Sequence, residues 1–186
     1  MIDQNGTLGA LEAHARAVPG NAPTVERMLA LLGGGADPFS RSSLDPGHFT
    51  ASGFVLSPNG RSVLLVHHAK LARWLQPGGH IEPGDTDLAA AARREVIEET
   101  GVALRWEPRG ILDVDIHVIP ARPKEGAHLH FDVRFVFVAS GEALSVSPEV
   151  LGARWVELDG VAALTDEESV LRCVARLREL AAPTPR

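Results

Sequence analysis

Residues 78–102 read GGHIEPGDTDLAAAARREVIEETGV, and the rest of the chain is organised around them. A glycine- and proline-rich opening gives way to an alanine-rich run that stops at Gly101, the pattern of a loop, a helix and a stop. Asp85 or Thr86 is expected to cap the helix by accepting a backbone N–H, and Gly101 to take the left-handed position just past its end. Glu95, Glu98 and Glu99 stand at i, i+3 and i+4, which at about 3.6 residues per turn puts all three carboxylates on one narrow arc. Like charges at that spacing cost stability, and no lysine is interleaved. A solvated helix face would tolerate such glutamates, but beside a glycine loop they suit a hard cation such as Mg²⁺, which prefers carboxylate, water and phosphate oxygens. Arg94, next to Glu98 on the same side, can hold one carboxylate by a bidentate contact. The apolar stripe Ala89, Ala92 and Val96 can dock the helix on a sheet.

Gly79, Glu82, Gly84, Arg94-Glu95-Val96, Glu98-Glu99 and Gly101-Val102 resemble the Nudix box, the loop–helix signature of hydrolases that cleave nucleoside diphosphates linked to another moiety. The box covers about two dozen residues and is a specific pattern; the flanking chain from Phe49 to Leu158 also looks Nudix-like. The resemblance implies an α/β fold, a Nudix-type α/β/α sandwich with a mixed central sheet, plus a short helical N-terminal extension. It implies that Glu95, Glu98, Glu99 and the Gly79 carbonyl hold Mg²⁺ or Mn²⁺, and that Glu98 or Glu82 takes a proton from water while Arg94 orients. It also lets the His80 side chain, one residue after Gly79, reach substrate phosphates. Two departures stand out. Asp85 occupies the position where the family has glutamate, and eight residues, Thr86 to Arg93, separate it from Arg94 where the family has seven. An extra helical residue would rotate what precedes it by about 100°, so the slack is expected in the loop or the first helical turn.

The expected function is metal-dependent hydrolysis of a diphosphate bond in a nucleotide-like small molecule, with a catalytically silent binding module as the alternative. An isomerase of the same fold would need a cysteine near the metal, and a regulator's sensor domain would need a DNA-binding module. The chain has 186 residues, 45% of them hydrophobic, and a net charge of −6. That is enough for one real core, and without a basic block it argues against a polymeric nucleic acid partner. The single cysteine, Cys173, rules out an internal disulfide and a cysteine-based zinc site, which fits a reducing, cytoplasmic setting. Met1 to Ala10 lacks the features of a targeting signal and no apolar run is long enough for a membrane span. A homodimer is plausible for this type of fold.

Residues 1–47 are expected to form a helical extension, 48–182 the hydrolase domain and 183–186 a frayed tail. Helices are expected over Leu8–Val18 and Pro23–Leu32, the second stopped by Gly33-Gly34-Gly35. Strands over Phe49–Ser57 and Arg61–His68 are joined by Asn59-Gly60, a hairpin signal. Val63 to Val66 is apolar throughout and should be buried on both faces. His67 and His68 read as polar strand ends, Cys173 as a small buried residue, and Trp74, Trp106 and Trp155 as structural. Period-two alternation marks strands over Gly110–Val118 and His128–Ala139 as an antiparallel hairpin. One of its faces carries Asp113, Asp115, His117, His128, His130, Asp132 and Arg134, a concentration of ionisable groups suited to a substrate-binding wall. On that wall Arg134 could grip a phosphate. His128 and His130 point the same way, as zinc would require, but a third ligand is not apparent. A short strand at Arg154–Leu158 and a capping box at Thr165–Glu168, opening a helix through Leu180, complete the chain.

Overall fold

The computed structural model describes residues 2–69, 71–105, 110–123 and 125–181. Trp106 and the tail 183–186 lie outside the described residues. Helices α1 (Gln4–Ala17) and α2 (Ala22–Leu32) precede strands β1 (Gly47–Leu56), β2 (Ser62–His68), β3 (Arg73–Leu75) and β4 (Gly78–His80). Helix α3 (Leu88–Thr100) follows, then β5 (Ile111–Ile119), β6 (His128–Val138), β7 (Val150–Glu157) and α4 (Glu168–Ala181). The seven strands form one mixed sheet in the order β3-β2-β1-β6-β5, with β4 added on β1 and β7 on β2.

Strand β1 is the centre, buried at all ten of its positions. It runs parallel to β6 from Gly47↔Leu129 to Leu56↔Val138. The β5–β6 hairpin is antiparallel as the alternation predicts, with Asp115 opposite Asp132 and His117 opposite His130. The first hairpin differs from expectation. Asn59 closes the turn, its Oδ1 accepting from Ser57 Oγ and Arg61 N, but β1 and β2 then stay paired only at Leu56↔Val63. They diverge because each has a stronger claim elsewhere: β2 takes β7 along its length, and β1 takes β4 through Thr50↔His80, Ala51↔Gly79 and Ser52↔Gly78. That exchange seats the glycine loop against the middle of the sheet.

Two cores lie on the two faces, as alternation along β1 requires. Phe49, Ala51 and Val55 of β1 join Phe131, Val133, Phe135 and Phe137 of β6 under α3, and the same core takes Leu11, Val25 and Met28 from α1 and α2. Phe54 and Leu56 face the other way, with Leu65, Val136 and Val156, under Val170, Cys173, Val174 and Leu177 of α4. The N-terminal helices are therefore built into one core of the sandwich. Fully burying each such side chain contributes about 1.5–3 kcal/mol. Leu64 in one core and Val63 and Leu65 in the other confirm that the apolar run of β2 is buried on both sides. Helix α3 approaches so closely that a Cβ on Gly53 would stand 2.5 Å from Val96 Cγ2, so only glycine fits there. Helix α4 begins at Glu168, two residues later than the Thr165 cap predicts. Thr165 Oγ1 accepts from Glu167 N in the preceding turn, leaving the helix to start beyond it. Among the described residues no helix is long and apolar enough to cross a membrane.

Candidate active site

Helix α3 starts at Asp87, whose side chain accepts from Ala90 N at 2.8 Å. This corrects the expected cap at Asp85 or Thr86. Asp85 is used instead to fold the loop back: its Oδ2 accepts from Glu82 N at 2.7 Å, and its two oxygens take Arg94 Nε and Nη2 at 3.1 and 3.0 Å. The extra residue is thus absorbed between Asp85 and the cap, and the helix proper begins after it. At the other end Gly101 has φ 63° and donates to Ile97 O, as expected of a helix stop.

Arg94 is the hub of the site. Besides Asp85 it donates Nη1 to Glu95 Oε1 at 3.0 Å and to Glu98 Oε2 at 2.9 Å, and Nη2 to His80 O at 2.9 Å. The carboxylate it holds bidentately is Asp85, because the loop brings Asp85 to the fork of the guanidinium while Glu98, its neighbour on the helix, reaches one nitrogen. Asp85 itself is held below the usual carboxylate range: burial pushes it up, but the Arg94 bonds and the Glu82 N–H outweigh that.

The three glutamates of the arc differ in exposure, and that difference divides their chemistry. Glu98 is 56% exposed, Glu95 14%, and Glu99 is buried. Burial, with the neighbouring Glu95 and Glu149 charges, pushes Glu99 up to about 7 against the Gly78 N–H that it accepts at 3.2 Å. Burial raises Glu95 too, partly countered by Arg94. The Glu95 carboxylate lies against Gly79, where an added Cβ would sit 2.7 to 2.8 Å from its atoms. One arginine thus serves Asp85, Glu95 and Glu98, while Glu99 has only the Gly78 N–H, leaving an uncompensated set of oxygens beside the glycine loop. An oxygen-rich, net negative cradle of this kind fits a hard divalent cation. Glu82 is exposed on the loop. Glu149, just before β7, adds charge to the same cluster; nothing in its sequence surroundings signalled this.

The polar wall divides into two unlike halves. Asp132 accepts from Thr50 Oγ1 at 3.2 Å, Ser52 Oγ at 2.9 Å and Arg134 Nε at 2.9 Å. Arg134, 3% exposed, spends its remaining nitrogens on Ser169 O and Ser169 Oγ of α4. Asp132 and Arg134, expected to face substrate, are buried in this structure, with Arg134 under α4 and both engaged in hydrogen bonds within the fold. Asp113 is fully buried between Asn21, Arg172 and Arg176, a structural knot.

In the other half, His80, His128 and His130 meet His48 of β1, which sequence reasoning missed. Ring centroids lie 4.9 to 5.2 Å apart for the pairs His48–His130, His48–His128, His48–His80, His80–His130 and His128–His130. Burial, then the neighbouring His48, lowers His80 to about 4, and burial with His80 and the other rings lowers His130 to about 2. The four rings pack on one another, His48 and His128 buried and His80 and His130 half-buried. His67 stacks on Trp74 at 5.1 Å and Arg154 lies 4.4 Å from the same ring, so Trp74 is occupied as a structural residue.

The NUDIX domain model matches residues 46–177, and the chain belongs to that family. It is 32% identical over 111 residues to a protein of Bacillus subtilis (strain 168) named putative 8-oxo-dGTP diphosphatase, covering 58% of this chain and 66% of that one. It is 32% identical over 142 residues to nucleoside diphosphate-linked moiety X motif 6 of Mus musculus, covering 71% of this chain and 43% of that one. The chain thus spans from under half to about two thirds of these curated relatives. Among solved structures, the NUDIX domain of Shewanella oneidensis NrtR complexed with ADP ribose superposes with a TM-score of 0.56 at 20% identity, covering 80% of this chain and 95% of that one. A NUDIX-family hydrolase from Clostridium perfringens gives 0.53 at 24% identity, covering 72% and 97%. Both likenesses establish the fold.

Proposed function

We propose that this protein is a cytoplasmic pyrophosphohydrolase that cleaves the diphosphate bond of a nucleoside diphosphate linked to another moiety, or of a related phosphorylated metabolite. The observation that carries this reading is Glu95 lying against Gly79, Glu99 accepting from Gly78 N, and Glu98 beside them on an arginine pinned by Asp85. Glu95, Glu98, Glu99 and the Gly79 carbonyl are the groups that would hold Mg²⁺ or Mn²⁺, which when bound neutralises phosphate charge and lowers the pKa of a coordinated water.

The residues themselves do the positioning. Arg94 fixes Glu95 and Glu98 relative to the loop and carries no proton in the reaction. Glu98 is the most exposed of the three glutamates and is tied to Arg94 through Oε2 alone, so Oε1 is left to take the proton of the attacking water as the bond to the leaving phosphate breaks. Glu82 is the second candidate for that proton. The two departures from the family pattern are compatible with catalysis: Asp85 still anchors Arg94, and the extra residue leaves α3 regular from Leu88. This favours the enzyme over the silent binding module.

The names of the relatives suggest the substrate panel: 8-oxo-dGTP and dGTP as triphosphates, ADP-ribose and sugar nucleotides as linked diphosphates. The expected result is phosphate or pyrophosphate release from at least one of them that requires Mg²⁺ or Mn²⁺ and stops with chelator. No turnover across the panel, with ligand-induced thermal shifts still present, would instead support the binding module.

A further inference from the structure

The strongest unassigned feature is the histidine cluster at the end of the sheet. It combines three elements distant in sequence: His48 on β1, His80 on β4, and His128 and His130 on β6. The parallel pairing places His48 opposite His130, and His128 shares the face because it lies two residues away on the same strand. His48 and His128 are buried.

Two independent observations point to a ligand in the middle. The Nε2 atoms of all four rings, His48, His80, His128 and His130, are buried without a hydrogen-bond partner among the described residues. A buried polar atom left unpaired costs free energy, and a group of them in one place calls for an explanation. The ligating atoms of His48, His128 and His130 also lie within 4.8 Å of one another. The outer nitrogens explain the orientation. His48 Nδ1 stands 3.0 Å from Ser43 O and His128 Nδ1 2.8 Å from Gly126 O. A carbonyl can only accept, so in both rings the proton is on Nδ1 and the lone pair on Nε2 points inward. Fixing a ring through an Nδ1–H to a backbone carbonyl is the usual outer-shell support of a metal-bound histidine.

We propose that His48, His128 and His130, with His80 as the fourth member, form a nitrogen-only binding site for a borderline divalent transition ion of the Zn²⁺ type, separate from the carboxylate site. An imidazole set suits Zn²⁺, Co²⁺, Ni²⁺ or Cu²⁺ and disfavours Mg²⁺ and Mn²⁺, which want oxygen. Tetrahedral Zn–N bonds of about 2.0–2.1 Å place the nitrogens about 3.3 Å apart, so from within 4.8 Å the three nitrogens must close by up to about 1.5 Å, roughly a side-chain torsion adjustment. Glu125 Oε1 lies 3.9 Å from His128 Nε2 and its charge favours a cation. Arg41 is the opposing charge near His48 and His80, and the ion must bind against it. His80 links the site to the catalytic loop, since its carbonyl accepts from Arg94 and it follows Gly79 directly. An ion there would tie β1, β4 and β6 together beside that loop.

The test uses untagged full-length protein, stripped with chelator and titrated with Zn²⁺ or Co²⁺ in the presence of excess Mg²⁺, with bound metal counted by elemental analysis. Wild type and Glu98→Gln should each retain about one Zn²⁺. His128→Asn and His130→Asn should lose it by more than the roughly 10- to 100-fold that a missing outer-shell partner costs. Bound Co²⁺ should show the intense visible bands of four-coordinate geometry, and X-ray absorption should show imidazole scattering from at least three rings. Those two spectra are read on wild type, so they decide the matter even where a histidine variant fails to fold. Failure of wild type to hold Zn²⁺ or Co²⁺ overturns the proposal, as does loss of the ion in Glu98→Gln with retention in a folded His128→Asn. Neither result depends on whether the protein hydrolyses any member of the substrate panel.

Discussion

Replacing Asp113 by asparagine should cost more stability than any other single polar change in the fold. The carboxylate is fully buried and accepts four hydrogen bonds from nitrogen, Asn21 Nδ2 at 2.7 Å, Arg172 Nε at 3.0 Å, Arg172 Nη2 at 2.7 Å and Arg176 Nη1 at 2.5 Å, and a fifth from Cys173 Sγ at 3.5 Å. It ties the turn between α1 and α2 to β5 and α4. Asparagine keeps the shape, removes the charge and turns an N–H₂ toward guanidinium donors. Removing one partner of a buried ion pair costs about 3–5 kcal/mol. The Arg172 and Arg176 side chains are 40% and 20% exposed, so water recovers part of their solvation. A loss of about 3 kcal/mol is therefore expected, which for a chain of this size lowers Tm by roughly 6–12 °C.

The pH dependence gives the same argument a second reading. Burial pushes the Asp113 carboxyl up, but the Arg172 and Asn21 bonds outweigh it and hold the group below its ordinary 3.8. A carboxyl depressed in the folded state contributes stability above the unfolded value and loses it as pH falls through the folded one. Urea unfolding of wild type and Asp113→Asn should thus show the full gap at neutral pH and a shrinking gap below about 3.8. A loss under about 1 kcal/mol, or a gap that does not change with pH, would refute the reasoning.

Three further outcomes follow from single contacts. Gly53→Ala places a Cβ 2.5 Å from Val96 Cγ2 and 3.0 Å from Phe137; it should cost about 1–3 kcal/mol by denaturant unfolding, and Val96→Ala should recover part of it, whereas a neutral Gly53→Ala would contradict the close docking of α3. Asp85→Ala frees Arg94 from its bidentate partner and should slow turnover on the order of 10- to 100-fold, with Asp85→Glu recovering part; unchanged rates would remove Asp85 from the positioning of Arg94. The Cys173 thiol is fully buried and pushed up to about 12 by that burial, so a thiol reagent should label it only after unfolding, and rapid labelling of native protein would show that α4 opens.

The part of the site legible in the sequence is the part made by local geometry. Helical spacing alone put Glu95, Glu98 and Glu99 on one arc, and period two put His128, His130, Asp132 and Arg134 on one face. What failed was whatever depended on partners from elsewhere. Spacing on the helix placed Arg94 beside Glu98 and left the carboxylate it grips bidentately unnamed, because a loop folding back nine residues to bring in Asp85 leaves no periodic trace. The cap moved to Asp87 for the same reason, since Asp85 was already engaged. Arg134 looked available because nothing in β6 shows that Ser169, 35 residues on, will cover it. His48, one residue before the predicted strand, carried no role; its three histidine neighbours come from β6, about eighty residues away, which brings His128 and His130, and from β4, which brings His80.

The measurement that tests the central claim most directly is the steady-state comparison of wild type, Glu98→Gln and Glu82→Gln on whichever diphosphate of the panel is hydrolysed, with Mg²⁺ or Mn²⁺ saturating. Glu98 is exposed and held by one Arg94 nitrogen, so its replacement should leave Tm within a degree or two while kcat falls by the roughly 10²- to 10⁴-fold typical of a lost general base, with Glu82→Gln retaining most of the rate. A Glu98→Gln enzyme that keeps more than about a tenth of the wild-type kcat would contradict the account and pass the proton-accepting role to Glu82 or to another carboxylate of the cluster.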